Sequence, residues 1–390
     1  MTSSNAATPL PSQRALFEIP DGVTYLNCAS MSPQMRAVTA AGLDAVRGKA
    51  SPWTLTSADW FTGAERLRAL FARLVNAKAD DIALVPSASY GLALAAANLP
   101  IRAGQSIVVI DREFPSNVYV WRELARTRGA SVRTVTREPG ATWTEAVLAA
   151  IDDDVAIVAT PNCHWTDGAL IDLHRIAPAA RAVGAALVVD ASQSLGAHPL
   201  DVAVVQPDFL VAVGYKWLMG PHGLGYLYAA PKWSEHGVPI EQSWMTREGA
   251  EDFARLVDYS DAYRAGARRF DMGEFSQFVL APMAEIALAQ ILEWGIDRVR
   301  CTLGQLTALL AREVEALGCV VPRADERVAH MLGVQRPGGL PAGLASTLAA
   351  ANVFVSARGD SIRVAPHLYN DASDVERFVT VLRAALARAS

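Results

Sequence analysis

Apolar and polar positions change their rhythm three times along this chain. From residue 32 to residue 76 the apolar spacing is helical, interrupted near Ser51-Pro52. Short apolar runs then alternate with Ala-, Leu- and Arg-rich helical segments. The runs lie at 82–85, 106–110, 131–135, 155–159, 186–189, 209–213 and 224–228. Runs bounded by turn residues and separated by helices predict strands buried on both faces, hence an α/β fold with a mostly parallel, seven-stranded sheet. Between 231 and 269 the alternation stops and polar and aromatic residues mix. A helical stretch follows over about 281–317, then strand signals at 328–334, 352–355 and 362–364 and a closing helix at 371–387. The expected organisation is a loose arm at 1–24 and a large α/β domain at 25–275, whose N-terminal helical part contributes to a smaller domain. That smaller α+β domain takes a long helix and the C-terminal segment, 276–390. No repeat or low-complexity linker separates the two, so they are expected to pack tightly.

Composition narrows the function. The chain has 390 residues, 51% hydrophobic and 19% charged, as a well-folded protein requires. A net charge of −5 without basic runs argues against nucleic-acid and anionic-membrane partners. The first 13 residues have no apolar signal region, and no run approaches the roughly 20 apolar residues of a membrane helix, so a soluble cytoplasmic protein is expected. Cys28, Cys163, Cys301 and Cys319 are scattered without a CxxC pair, which speaks against a disulfide framework or a metal site. Lysines are few: Lys49, Lys78, Lys216 and Lys232.

The chemistry concentrates at strand ends. The run at 186–189 ends in Asp190, followed by Ala191-Ser192-Gln193, where open α/β sheets bind ligands. The run at 209–213 ends in Gly214-Tyr215-Lys216-Trp217, then Gly220-Pro221-His222-Gly223. A lysine there is costly to bury unpaired, and burial drives it toward a nucleophilic free amine suited to an imine with an aldehyde. A nearby acid suits a protonated pyridine nitrogen. The plain alternative is a salt bridge between Asp190 and Lys216, and spacing leaves both open. Ser87-Ala88-Ser89 opens the helix after 82–85, offering either a phosphate site or an ordinary cap. Glu113-Phe114-Pro115-Ser116-Asn117 and Asn162-Cys163-His164-Trp165 follow two further runs. Polar groups converge on four or five strand ends that a purely structural sheet would leave apolar.

These segments, in this order, resemble the fold-type I pyridoxal-phosphate enzymes of the class V aminotransferase group, which includes cysteine desulfurases and kynureninases. The resemblance runs from Tyr25-Leu26-Asn27 to Arg363-Val364-Ala365-Pro366-His367-Leu368-Tyr369-Asn370. It implies pyridoxal 5'-phosphate as cofactor, Lys216 as its Schiff-base lysine and Asp190 as partner of the ring nitrogen. It further implies Gln193 at the phenolic oxygen, Phe114 stacked on the ring, and Asn162 near that oxygen and the substrate carboxylate. Ala88, Ser89 and Tyr215 fall where the phosphate is held, with Asn117 nearby. Arg358 matches the arginine for the substrate carboxylate, with Arg363 as runner-up. His164 and Trp165 are candidates for the substrate pocket, against a structural histidine. A homodimer is implied, with the apolar segment 275–282 available to cover a partner.

The departures from the family are informative. Neither 352–358 nor 359–363 contains the desulfurase cysteine, and Cys301 and Cys319 read as buried small hydrophobes, so persulfide chemistry is disfavoured. Glu274 stands where relatives supply a hydroxyl or amide to a neighbouring subunit's phosphate. The expected activity is transamination of a small amino-acid-like substrate. The alternatives are a β-lyase cleaving C–S or C–C bonds, an epimerase, or a non-catalytic pyridoxal-phosphate binder. A dehydrogenase would need a GxGxxG turn that 87–91 lacks.

Overall fold

The computed structural model describes residues 7–138 and 140–388. Residues 1–6 of the expected arm and 389–390 of the C-terminal domain lie outside it. The strands are β1 (Thr24–Tyr25), β2 (Ile82–Val85), β3 (Ser106–Ile110), β4 (Ser131–Val135), β5 (Val155–Pro161), β6 (Ala186–Asp190), β7 (Phe209–Val213), β8 (Gly225–Ala229), β9 (Leu332–Val334), β10 (Val353–Phe354), β11 (Ser356–Arg358) and β12 (Ser361–Val364). The helices are α1 (Arg36–Gly48), α2 (Asp59–Val75), α3 (Ala88–Asn98), α4 (Ser116–Arg128), α5 (Trp143–Ala149), α6 (Leu173–Ala182), α7 (Val202–Val205), α8 (Pro231–His236), α9 (Leu280–Trp294), α10 (Ile296–Glu315), α11 (Leu344–Ala350) and α12 (Ala372–Arg388).

The central sheet has the order β2-β8-β7-β6-β5-β3-β4. Its strands β2, β3, β5, β7 and β8 are buried throughout, as continuous apolar runs dictate. Within it β8 runs antiparallel to both neighbours, β2 and β7. No crossover helix separates β7 from β8, so the chain returns directly. That return is the turn carrying Lys216. The order reverses at β3, which lies between β4 and β5, and such a switch point opens a crevice at the carboxyl ends of the strands.

One apolar core packs α1, α2 and α9 against one face of the sheet, and a second buries α3 and α4 against the other. A third joins α10, α11 and α12 to β9, β10 and β12. The helical stretch at 281–317 divides into α9 and α10 at Gly295, whose φ of 76° no helix accommodates. The strand signal at 328–334 shrinks to β9, and the run at 224–228 shifts by one residue into β8. Thr24–Tyr25 pairs in parallel with Val353–Phe354, so the start of the chain is tied to its C-terminal part.

Candidate active site

A cavity of about 230 Å³ opens at the carboxyl ends of β2, β3, β5, β6 and β7. Each of these strands ends in a loop that sends at least one side chain to it. Lys216, 6% exposed, lies in the β7–β8 turn with its Nζ 5.2 Å from the Phe114 ring centroid and 5.7 Å from that of Tyr215. Burial lowers the Lys216 amine to about 8, the Arg363 and Arg358 guanidiniums adding to this and Asp190 opposing it. The turn is held from behind. Ser32 donates its N–H to the Tyr215 carbonyl (3.0 Å), and Trp217 Nε1 donates to Gln193 Oε1 (3.1 Å). A side chain at Gly196, where φ is +106°, would collide with the Trp217 carbonyl, so glycine lets these two segments approach.

Asp190 ends β6 and lines the cavity, its Oδ1 accepting from the Ser192 N–H at 2.9 Å. Gln193 also lines it, but its side chain is largely committed: Nε2 donates to the Ala29 carbonyl at 3.0 Å and Oε1 serves Trp217. One amide hydrogen is left. The Gln193 carbonyl accepts from His330 Nε2 (2.7 Å) and from the Cys163 thiol (3.4 Å). Burial pushes the Cys163 thiol well above its ordinary range, with Glu113 and Asp167 adding to the effect, so it is a neutral thiol.

Ser87, Ala88 and Ser89 line the cavity at the N-terminus of α3. Ser87 caps that helix, its Oγ accepting from the Tyr90 N–H at 3.2 Å. Tyr215 and His222 line the same end, their rings 4.6 Å apart. Phe114 lines the cavity and meets Trp165 edge-on at 5.5 Å.

Five expected residues, Asn117, Asn162, His164, Arg358 and Arg363, do not line the cavity. Asn117, expected near the phosphate, is fully buried inside the start of α4, where its Oδ1 accepts from Trp121 Nε1 at 2.9 Å; it does not line the cavity. The cause is local: its φ/ψ of −90°, 20° is non-helical and turns the amide toward Trp121. Asn162 is 4% exposed between the lining residues Pro161 and Cys163, and its Oδ1 has no hydrogen-bond partner among the described residues. His164 is spent: Nε2 donates to the Asp111 carbonyl (3.2 Å), Nδ1 lies 2.7 Å from Thr166 Oγ1 and 3.5 Å from Asp167 Oδ1, and the ring stacks on Trp143 at 5.1 Å. It lines an outer groove with Arg358, and this groove shares Glu113 and Trp165 with the cavity.

The two arginines differ. Arg358 stands over the Trp165 ring at 5.5 Å and donates from Nη1 to its neighbour Ala357. Arg363, 1% exposed, donates from Nη1 to the Trp165 carbonyl at 2.8 Å, while Nε and Nη2 have no partner among the described residues. Burial lowers its guanidinium to about 9, with Arg358 adding to this. Between them β11 and β12 form a tight hairpin turning at Gly359-Asp360, with no thiol.

The sequence reading gave no role to Glu113, Cys163 or His222. The signals were a carboxylate directly after an apolar strand, a thiol beside Asn162 and an imidazole within the lysine turn.

The residues present fit pyridoxal phosphate. An amine displaced toward its free form, a carboxylate 6% exposed, an aromatic face and a hydroxyl-lined helix N-terminus meet in one cavity. Comparison with known proteins agrees. Residues 24–390 match the family described as aminotransferase class-V. The chain is 28% identical over 320 residues, 80% of its length and 81% of the relative's, to an uncharacterized aminotransferase, YcbU, of Bacillus subtilis. It is 29% identical to a kynureninase of Xanthomonas oryzae, covering 96% of this chain and 95% of that one. Its fold is shared with a cysteine desulfurase from Thermococcus onnurineus, at a TM-score of 0.85 and 21% identity over 98% of this chain and all of that one. With a family match over nearly its whole length, the chain belongs to the aminotransferase class-V family and is a pyridoxal-phosphate enzyme acting on amino-acid-like substrates.

Proposed function

We propose that the chain is an aminotransferase in which Lys216 both anchors the cofactor, as its Schiff-base lysine, and moves protons at the substrate Cα. The observation that carries this reading is the Lys216 amine, buried and lowered to about 8 beside the Phe114 ring. A base near the operating pH is suited to both taking and returning a proton. Pyridoxal phosphate, when bound, supplies an electron sink for negative charge at Cα. Asp190 holds the ring nitrogen as its ion partner, Phe114 covers one ring face, and Ser87, Ala88, Ser89 and Tyr215 bind the phosphate. Gln193 has one amide hydrogen left for the phenolic oxygen, and Asn162 an unpaired carbonyl oxygen beside it.

Arg363 takes the substrate carboxylate. Its two unpartnered nitrogens, Nε and Nη2, are the buried donors a carboxylate would satisfy as a fork, whereas Arg358 leaves one, Nε, unpaired and lines the outer groove. A β-lyase is the second reading, favoured by the kynureninase similarity over 95% of that relative. The neutral Cys163 and the absence of a thiol in the β11–β12 hairpin speak against persulfide chemistry. The exposed aromatics Trp53 and Tyr259, at 79% and 93%, support a homodimer that covers them. The free thiols fit a cytoplasmic location, and no helix among the described residues is long and apolar enough to cross a membrane.

Product counting tests the activity. Transamination without an acceptor stops after one equivalent of 2-oxo acid and resumes on adding an acceptor 2-oxo acid. Continuous turnover without an acceptor would overturn it in favour of the lyase. For the arginines, R363K is expected to raise KM for an α-amino acid far more than R358K does; the reverse order would exchange their roles.

A further inference from the structure

His330 is fully buried and does not line the cavity, yet it touches both segments that bring Gln193 and Lys216 there. Its Nε2 lies 2.7 Å from the Gln193 carbonyl, and a carbonyl only accepts, so Nε2 carries the ring's N–H. The same ring meets that of Trp217, the neighbour of Lys216, edge-on at 4.4 Å and 76°. Trp217 in turn donates from Nε1 to Gln193 Oε1 at 3.1 Å. These contacts close on themselves: imidazole to Gln193 backbone, imidazole to indole, indole to Gln193 side chain.

The closed set decides which way the Gln193 amide points. An indole N–H can only donate, so Trp217 must face Oε1, which leaves Nε2 for the Ala29 carbonyl at 3.0 Å. A flipped amide would set donor against donor and oxygen against oxygen. The histidine is itself anchored. The Ala329 carbonyl accepts from Thr307 Oγ1 of α10 at 2.8 Å, and the Val328 N–H donates to the Gly168 carbonyl at 2.9 Å. That second bond ties His330 to the loop after β5, whose Cys163 thiol donates to the same Gln193 carbonyl. The titratable groups facing the ring are His198, at 6.4 Å, and His367 beyond the indole, 5.9 Å from Trp217; neither is an acid. Burial, with His198 and His367 adding to it against the Gln193 bond, lowers the imidazole to about 3. Nδ1 has no partner among the described residues, so the one directional bond of this ring is spent on Gln193.

We propose that His330 is a positioning residue: it clamps Gln193 to Trp217, and so fixes the one free Gln193 amide hydrogen against the turn that carries Lys216. The consequence for the cofactor rests on the reading above that Gln193 serves the phenolic oxygen and Lys216 the anchor. The clamp itself needs no cofactor, which separates the tests.

The variant H330F keeps an aromatic ring against Trp217 and removes the donor, whereas H330Q returns an N–H. The first measurement is hydrogen exchange of the Trp217 indole N–H in the cofactor-free protein, the signal being assigned by its absence from W217F. The Trp121 indole, bonded to Asn117, is the internal control. In H330F, exchange at Trp217 is expected to quicken about tenfold or more with Trp121 unchanged, and H330Q should stay near wild type. Unchanged exchange at Trp217, equal acceleration at Trp121, or no rescue by H330Q overturns the clamp. Should H330F not fold, the imidazole nitrogen spectrum of wild type decides. A neutral His330 ring protonated at Nε2 is expected over about pH 5–8, and a charged or Nδ1-protonated ring overturns the assignment. The second measurement is the visible spectrum of the protein loaded with pyridoxal phosphate. H330F should differ from wild type in band position or pH midpoint and H330Q should not; coincidence of H330F with wild type in both overturns the link to the cofactor. If wild type binds no pyridoxal phosphate while Trp217 exchange still follows His330, the proposed function falls and the clamp stands.

Discussion

Two ionic clusters, one along the open edge of β2 and one at the carboxyl ends of the sheet strands, differ in completeness. In the first, Arg68 of α2 is fully buried, donates to the Ile82 carbonyl and to Asp271 Oδ2, and reaches Glu65 at 3.3 Å. Asp271 accepts in turn from the Leu84 N–H at 2.8 Å, and Arg268 binds Glu65 at 2.6 Å and Asp80 at 2.7 Å. Burial alone would raise Glu65, yet the Arg268 hydrogen bonds and the charges of Arg68, Arg268 and Arg264 hold it at about 2. In the second cluster Lys216, Glu113 and Arg363 are each pushed toward neutrality, to about 8, 8 and 9. Arg363 and Glu113 also leave polar atoms unpaired. In the first cluster burial raises only Asp271, and of its side chains only Arg264 leaves a nitrogen, Nη1, unpaired among the described residues. A folding element closes most of its hydrogen bonds internally, whereas a site leaves them open for what it will bind.

The largest expected effect separates the two at once. Lys216→Ala should lower kcat by about 10³-fold or more, through loss of the proton-transferring amine, while the melting temperature does not fall. Borohydride reduction followed by intact-mass measurement should attach the cofactor to wild type and not to the variant. A variant that keeps its activity would mean that Lys216 belongs with the structural cluster.

Asp271→Ala should do the opposite. Leaving Arg68 buried without its carboxylate costs about 3–5 kcal/mol, read by denaturant unfolding, with kcat per folded molecule unchanged. A loss below about 1 kcal/mol would show that the completeness of this cluster is cosmetic.

How far each cluster was legible in sequence follows from the same contrast. Lys216 and Asp190 stand at the ends of apolar runs, where local pattern alone marks them as out of place. Arg68 and Asp271 are 203 residues apart and carried no local signal. The sheet was legible because each buried strand is a continuous apolar run, whereas the reversed β8 depends on the absence of a helix in the Lys216 turn. Asn117 misled because the segment Phe114–Asn117 reads as one polar rim, while the non-helical backbone at 117 turns its amide inward. Gln193 was legible as a position, but its bonds to Ala29 and Trp217 come from chain segments remote in sequence. Arg358 and Arg363 flank one hairpin, and only burial and the number of unpaired nitrogens, one against two, distinguish them.

The open cluster also predicts how stability of the cofactor-free protein varies with pH. Glu113 is raised from an ordinary 4.5 to about 8, so between these values the folded state binds more protons than the unfolded state. Stability therefore falls as pH rises through that window. Lys216 is lowered from 10.5 to about 8, so between 8 and 10.5 the unfolded state binds more protons, and stability rises. The two contributions give a minimum near pH 8, the acid limb on the order of 5 kcal/mol and the alkaline limb on the order of 3 kcal/mol. E113Q should flatten the acid limb and Lys216→Met the alkaline one. Limbs unchanged in both variants would assign the pH dependence to other groups.

The smallest effect tests a residue that belongs to both kinds of region. Ser87 caps α3 and also lines the cavity; Thr142 caps α5 with its Oγ1 accepting the Glu145 N–H at 3.2 Å and does not line it. Loss of either cap should cost about 1 kcal/mol in the cofactor-free protein, because each leaves a helix-terminal N–H unpaired. Pyridoxal phosphate should separate them. Ser87→Ala removes a hydroxyl from the end of the cavity where α3 presents its N–H groups, so its cofactor affinity should fall several-fold, whereas Thr142→Ala should bind as wild type does. Equal affinities in the two variants would make Ser87 a cap only, and the phosphate end of the cavity would then rest on the backbone of Ala88 and Ser89 with Tyr215 and His222.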